Sequence, residues 1–155
     1  MNALIIVSHG QILETIDHLQ RLSDGARESV VLWLAQRTGV TSVVKTVFVP
    51  LQETAVDYFS IPAEGVREVL QQCRDDGVYV AAQLHTHPFE AFHSEADDEL
   101  ALIRHKDALS FVFPEFATGV DPRNFAAAAT LFRLSGDNRW EFVPKVEHSR
   151  YYQIL

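Results

Sequence analysis

The stretch Gln83-Leu-His-Thr-His-Pro-Phe-Glu-Ala-Phe-His-Ser-Glu-Ala-Asp-Asp98 decides the reading of the chain. It follows an apolar run, Val78 to Leu84, that reads as a central β-strand, so the strand delivers His85 and His87 at its C-terminal end. Residues i and i+2 of a strand point to the same side. The two imidazoles can therefore aim at one point while Thr86 faces away. Pro88 stops the strand, and Ser94 starts a helix that carries Asp97 in its first turn. Two imidazoles and one carboxylate leave a fourth position of a tetrahedral metal open, the pattern of a catalytic rather than a structural zinc site. Nitrogen donors of intermediate softness also favour zinc over magnesium or calcium.

Each half of this pattern has a plainer explanation. Ser94-Glu-Ala-Asp97 fits a helix cap, with Asp97 where negative charge suits the helix dipole, and a lone His-x-His is a weak signal. Their conjunction within the thirteen residues from His85 to Asp97, joined by a proline turn, reads as a metal site. His93 reads as a loop residue at a substrate entrance. Asp98 points about 100° away from Asp97 on a helix and reads as a solvated carboxylate.

Working outward, Ala3 to Val7 reads as a strand, and Ser8 with Gln11 matches a capping box. A helix over 11–22 follows, ending near Ser23-Asp-Gly25. His9 and His18 read as a turn residue and a helix-surface residue. Glu28 precedes a buried strand, Val30 to Ala35, and Gly39 turns it into a partner strand, Val40 to Val49, closed by Pro50. Leu51 to Ile61 is a mixed connector with Tyr58 and Phe59. A helix over 63–75 follows Pro62, with Val66, Val69, Leu70 and Cys73 along one face. Cys73 on that stripe reads as a buried structural thiol. Beyond the histidines, Leu109 to Phe113 reads as a strand and Glu115 to Asn124 as a loop. Phe125 to Leu134 and Arg139 to Val143 read as a hairpin about Gly136-Asp-Asn138. The pattern assigns no structure to Pro144–Leu155. The sum is an α/β chain, one mixed sheet with flanking helices, in a single domain over residues 1–155.

Composition limits the function. The 155 residues are 47% hydrophobic and 22% charged, ordinary for a globular protein with a real core. A net charge of −8 removes the usual electrostatic support for nucleic-acid binding. One cysteine forms no intramolecular disulfide, the start lacks the features of a signal peptide, and no apolar run is long enough to span a membrane. A cytoplasmic protein is the expectation.

With its residues in order, the chain resembles the JAB/MPN-domain metalloproteases. His85-x-His87-Pro88 followed by Ser94-x-x-Asp97, with Glu28 before a buried hairpin, is similar to that family's JAMM motif. Most of the chain follows the family's element order. The resemblance implies a cytidine-deaminase-like fold and one zinc ion held by His85, His87 and Asp97. It implies Glu28 as general base and acid, and Ser94 as a donor to the tetrahedral oxyanion. Five residues separate Pro88 from Ser94, one fewer than is common in the family, so the loop is tighter here. The implied reaction is hydrolysis of the amide after the C-terminal glycine of a ubiquitin-like protein, in precursor processing or deconjugation. The partners would be that protein or its conjugates, with E1- or E2-like conjugation enzymes as further candidates. The chain resembles the compact prokaryotic branch, some of whose members belong to antiphage systems. The Gln52–Ile61 connector and Phe89 to His93 are expected to border the substrate groove. Alternatives are a peptidase acting on a sulfur-carrier protein, a phage-tail or cell-wall peptidase, and a zinc-free MPN scaffold.

Overall fold

A computed structural model of the chain describes residues 3–90 and 105–155. Its first elements follow local sequence signals closely. Strand β1 (Leu4–Val7) leads into helix α1 (His9–Ser23). The Ser8 hydroxyl accepts from the Gln11 N–H at 3.1 Å, and the Gln11 side chain accepts from the Ser8 N–H at 3.0 Å. The capping box is thus complete. Asp24, rather than the glycine after it, takes the left-handed cap position at φ 47°.

Strands β2 (Val30–Thr38) and β3 (Thr41–Phe48) form the expected hairpin across Gly39, which sits at φ 64°. The connector holds more order than its sequence suggests: β4 (Glu53–Ala55) and β5 (Tyr58–Ser60) pair as a small separate hairpin. Helix α2 (Ala63–Asp76) has Pro62 as its N-cap and Gly77 as its left-handed C-cap. Its buried line runs through Gly65 and Val69, and Leu70 is exposed, against expectation. Gly65 lies so close to Leu51 that a Cβ there would sit 2.8 Å from the Leu51 carbonyl. That approach fixes which face of α2 lies down, and Leu70 falls about 100° beyond it.

Strand β6 (Tyr79–Thr86) is followed, past residue 104, by β7 (Leu109–Phe113). The apolar run from Phe125 splits. Phe125–Ala128 is one helical turn (α3), and only Thr130–Leu134 (β8) is extended, pairing with β9 (Trp140–Val143). The alanines favour the helical turn. The tail is ordered: a 3₁₀ segment, Lys145–Arg150, leads to β10 (Tyr152–Ile154), which pairs in parallel with β1.

Among the described residues, eight strands form one mixed sheet in the order β10-β1-β3-β2-β6-β7-β8-β9. Central β2 is covered on both faces. Val31, Trp33 and Ala35 join the core under α1, with Ile12, Ile16, Leu19, Leu84 and Phe111. Val30, Leu32 and Leu34 join a second core with Phe59 and Val69 of α2. Each such aliphatic side chain contributes about 1.5–3 kcal/mol by leaving water. The two cores hold β2 and β6 rigidly side by side, and the site lies where these strands meet at one end of the sheet.

Candidate metal centre

The antiparallel register of β2 and β6 builds the site. Val30 lies opposite His85 and Val31 opposite Leu84. The Thr86 N–H donates to the Ser29 carbonyl at 3.1 Å, which continues this register outward. Carried one step further, it sets Glu28 across from His87. Opposed residues in an antiparallel pair share a face, so Glu28, His85 and His87 lie on one face, the one that also carries Val30. All three are buried, at 3%, 0% and 3% exposure. The two imidazole rings have centroids 5.2 Å apart at 45°. The Phe59 ring lies 5.2 Å from that of His85. The connector therefore borders the histidines through Phe59, while Tyr58 turns outward and is exposed.

The backbone around these side chains is held on every side. His85 is paired to β2 on one flank and to Val112 of β7 on the other. The His87 N–H donates to the Phe113 carbonyl at 2.9 Å, and its carbonyl accepts from the Phe116 N–H at 2.8 Å. The Glu28 N–H donates to the Ala55 carbonyl of β4 at 2.8 Å. Beside it the Gln52 side chain imitates a strand. Its oxygen accepts from the Val30 N–H and its nitrogen donates to the Val30 carbonyl, each at 3.0 Å. This amide stands where β3 has already turned away at Pro50.

Sequence reasoning did not foresee a second support. Glu115, Phe116 and Ala117 are three successive non-glycine residues at positive φ, 52°, 55° and 62°. Left-handed backbone costs an L-residue roughly 1–2 kcal/mol. The turn presents the Phe116 N–H to the His87 carbonyl and the Glu115 N–H to the Phe89 carbonyl at 3.2 Å. Gln20 of α1 anchors it, donating to the carbonyls of Ala117 and Val120 at 3.0 and 2.9 Å. Pro114 is the sole local signal for a break here, and it does not encode handedness.

Ser94 and Asp97, with His93 and the helix expected after Ser94, lie outside the described residues. Among the described residues, no group of three or more His, Cys, Asp or Glu side chains is arranged to hold a metal ion. A three-ligand site built on His85 and His87 therefore needs its third ligand from elsewhere in the chain. The donor chemistry of the pair fits zinc: two imidazoles lie on one buried face, with Glu28 opposite His87 in the strand register. Cys73 is half-buried on α2, and burial pushes its thiol above the ordinary range, which opposes a nucleophilic role.

The architecture is an α/β one built on a large mixed sheet, and it has a solved counterpart. The solution structure of protein DSY2949 from Desulfitobacterium hafniense superimposes with a TM-score of 0.68 over 98% of this chain and 93% of that one. At 17% identity the likeness is one of fold. In sequence, the chain is 28% identical over 141 residues to a protein of Sinorhizobium fredii (strain NBRC 101917 / NGR234) named Probable metalloprotease y4jG. The match spans 88% of this chain and 85% of that protein. No family model matches the chain.

Proposed function

We propose that the chain is a zinc metallopeptidase of the JAMM type, a single JAB/MPN domain working in the cytoplasm. The observation that carries this reading is the burial of Glu28, His85 and His87 on one face where β2 enters and β6 leaves the sheet. The relationship to a protein named as a metalloprotease supports it. No helix among the described residues is long and apolar enough to cross a membrane.

His85, His87 and Asp97 would hold the metal. When bound, zinc lowers the pKa of its water toward about 7 and polarises a carbonyl oxygen. Glu28 takes the proton of the attacking water and passes it to the departing amine nitrogen. The Ser94 hydroxyl donates to the oxygen that becomes negative as the amide carbon turns tetrahedral. Phe59 keeps water from the flank of His85, and the β5 edge offers backbone groups to an extended tail. That edge suits the glycine-ended tail of a ubiquitin-like protein, and the bond cut is the amide after its last glycine.

The test uses a ubiquitin-like protein fused through its terminal glycine to a reporter, with zinc-loaded enzyme. Glu28→Ala should keep its metal and lose about 10²–10⁴-fold in turnover. Full turnover in that variant would rule out Glu28 as the base.

A further inference from the structure

Thr86 lies between the two histidines and points to the other side of the sheet, and the function above makes no use of it. Its surroundings are unusual for a core. Three hydroxyl side chains, Ser23, Ser29 and Thr86, are each fully buried and touch one another. Ser23 Oγ is 2.7 Å from Ser29 Oγ and 2.9 Å from Thr86 Oγ1. The Ser29 N–H donates to Thr86 Oγ1 at 2.9 Å, and Ser29 Oγ donates to the Leu19 carbonyl of α1 at 3.1 Å.

Each hydroxyl has one proton to give, and this fixes the order of the network. Ser29 gives its proton to Leu19. Ser23 must then give its own to Ser29, and Thr86 gives its own to Ser23. Thr86 Oγ1 receives the Ser29 N–H. All three protons are spent in one direction, from the end of β6 to the last turns of α1. The Ser29 N–H thus meets a side chain of β6, while the Ser29 carbonyl keeps its ordinary partner, the Thr86 N–H. Ser29 directly follows Glu28, and Thr86 separates His85 from His87. Every link in the chain of hydroxyls therefore bears on the spacing between the carboxylate and the two rings.

We propose that Thr86, through Ser23 and Ser29, is a positioning residue that locks Glu28 at a fixed offset from His85 and His87. This rests on the metallopeptidase reading. A valine at 86 would fill the same space, so packing alone does not require the hydroxyl. Valine would leave the Ser29 N–H without its acceptor in a site closed to water, and would strip Ser23 Oγ of the proton it receives while leaving its bond to Ser29 Oγ.

The test compares wild type, Thr86→Val, Thr86→Ser and Ser23→Ala in two ways. The first is zinc affinity by chelator competition. The second is amide hydrogen exchange at Ser29 in the metal-free protein. Thr86→Val should weaken zinc binding about 10–100-fold, the range for residues that orient metal ligands. It should also speed exchange at Ser29 relative to the slowest core amides. Thr86→Ser, which keeps the proton order, should restore both. Ser23→Ala, which cuts the link between Thr86 and Ser29 Oγ with little change in volume but keeps the Ser29 N–H on Thr86 Oγ1, should reproduce the loss of zinc affinity if Thr86→Val folds poorly. Unchanged zinc affinity in Thr86→Val and Ser23→Ala, with wild type binding zinc, would overturn the positioning role alone. A wild type that binds no zinc would instead overturn the metallopeptidase reading on which it rests.

Discussion

Replacing Gln52 by alanine tests whether the entry of β2, and Glu28 with it, is held by a side-chain amide rather than by a strand. Gln52 makes three hydrogen bonds of 3.0 Å, two with the backbone of Val30 and one to the Pro50 carbonyl. Val30 is 1% exposed, so its backbone has little access to solvent. An unsatisfied buried polar group costs about 1–3 kcal/mol. Gln52 itself is half-buried, so water enters part of the space it leaves. We therefore expect a loss of about 2 kcal/mol rather than the full sum over three groups. For a chain of this size that corresponds to a fall in Tm of about 4–8 °C. Urea unfolding should show a lower midpoint with an unchanged slope. Gln52→Glu should do no better than alanine, because it restores the acceptor for the Val30 N–H but sets a carboxylate oxygen against two carbonyls. A loss below about 0.5 kcal/mol, the level of an ordinary surface substitution, would refute the argument.

Two further outcomes follow from named contacts. Gly65→Ala improves helix propensity by about 1 kcal/mol, yet its Cβ would meet the Leu51 carbonyl at 2.8 Å and Ile61 Cγ2 at 2.9 Å. Backbone cannot yield as a side-chain tip can, so thermal melting should show a net loss of about 1–3 kcal/mol, and a gain would mean the Leu51 segment moves freely. His148 is buried, and chiefly this burial pushes its imidazole below its ordinary value of 6.5, with the Lys145 charge adding to it and the Val143 carbonyl opposing it. The unfolded chain takes up that proton more readily, so the stabilising effect is complete above 6.5 and is lost as pH falls toward the lower folded value. His148→Gln should flatten the fall in Tm between about pH 7 and about pH 5, and an unchanged slope would assign it to other groups.

The parts of the fold that the sequence announced are those governed by neighbours in the chain. The Ser8 and Gln11 cap, the Gly39 turn, the helix after Pro62 and the strand that carries His85 all rest on local rules, and all formed as expected. The missed elements depend on distant partners. β10 exists because Tyr152, Gln153 and Ile154 pair with Ile5, Ile6 and Val7, and nothing within the tail itself encodes a parallel partner at the far end of the chain. The β4–β5 hairpin is too short for its alternation to stand out. In the site, the shared face of His85 and His87 follows from strand period alone, whereas the nearness of Glu28 to them required the β2–β6 register. The left-handed turn at Glu115 and the hydroxyl network behind Thr86 are tertiary products, invisible to spacing.

The central claim is that His85 and His87 hold a catalytic metal with Asp97. Metal analysis of the purified chain, beside His87→Ala and Asp97→Ala, tests it most directly. The account predicts about one zinc ion per chain in the wild type, with little left in either variant. A wild type that takes up no zinc even after incubation with it, or an Asp97→Ala variant that retains a full complement, would contradict the account.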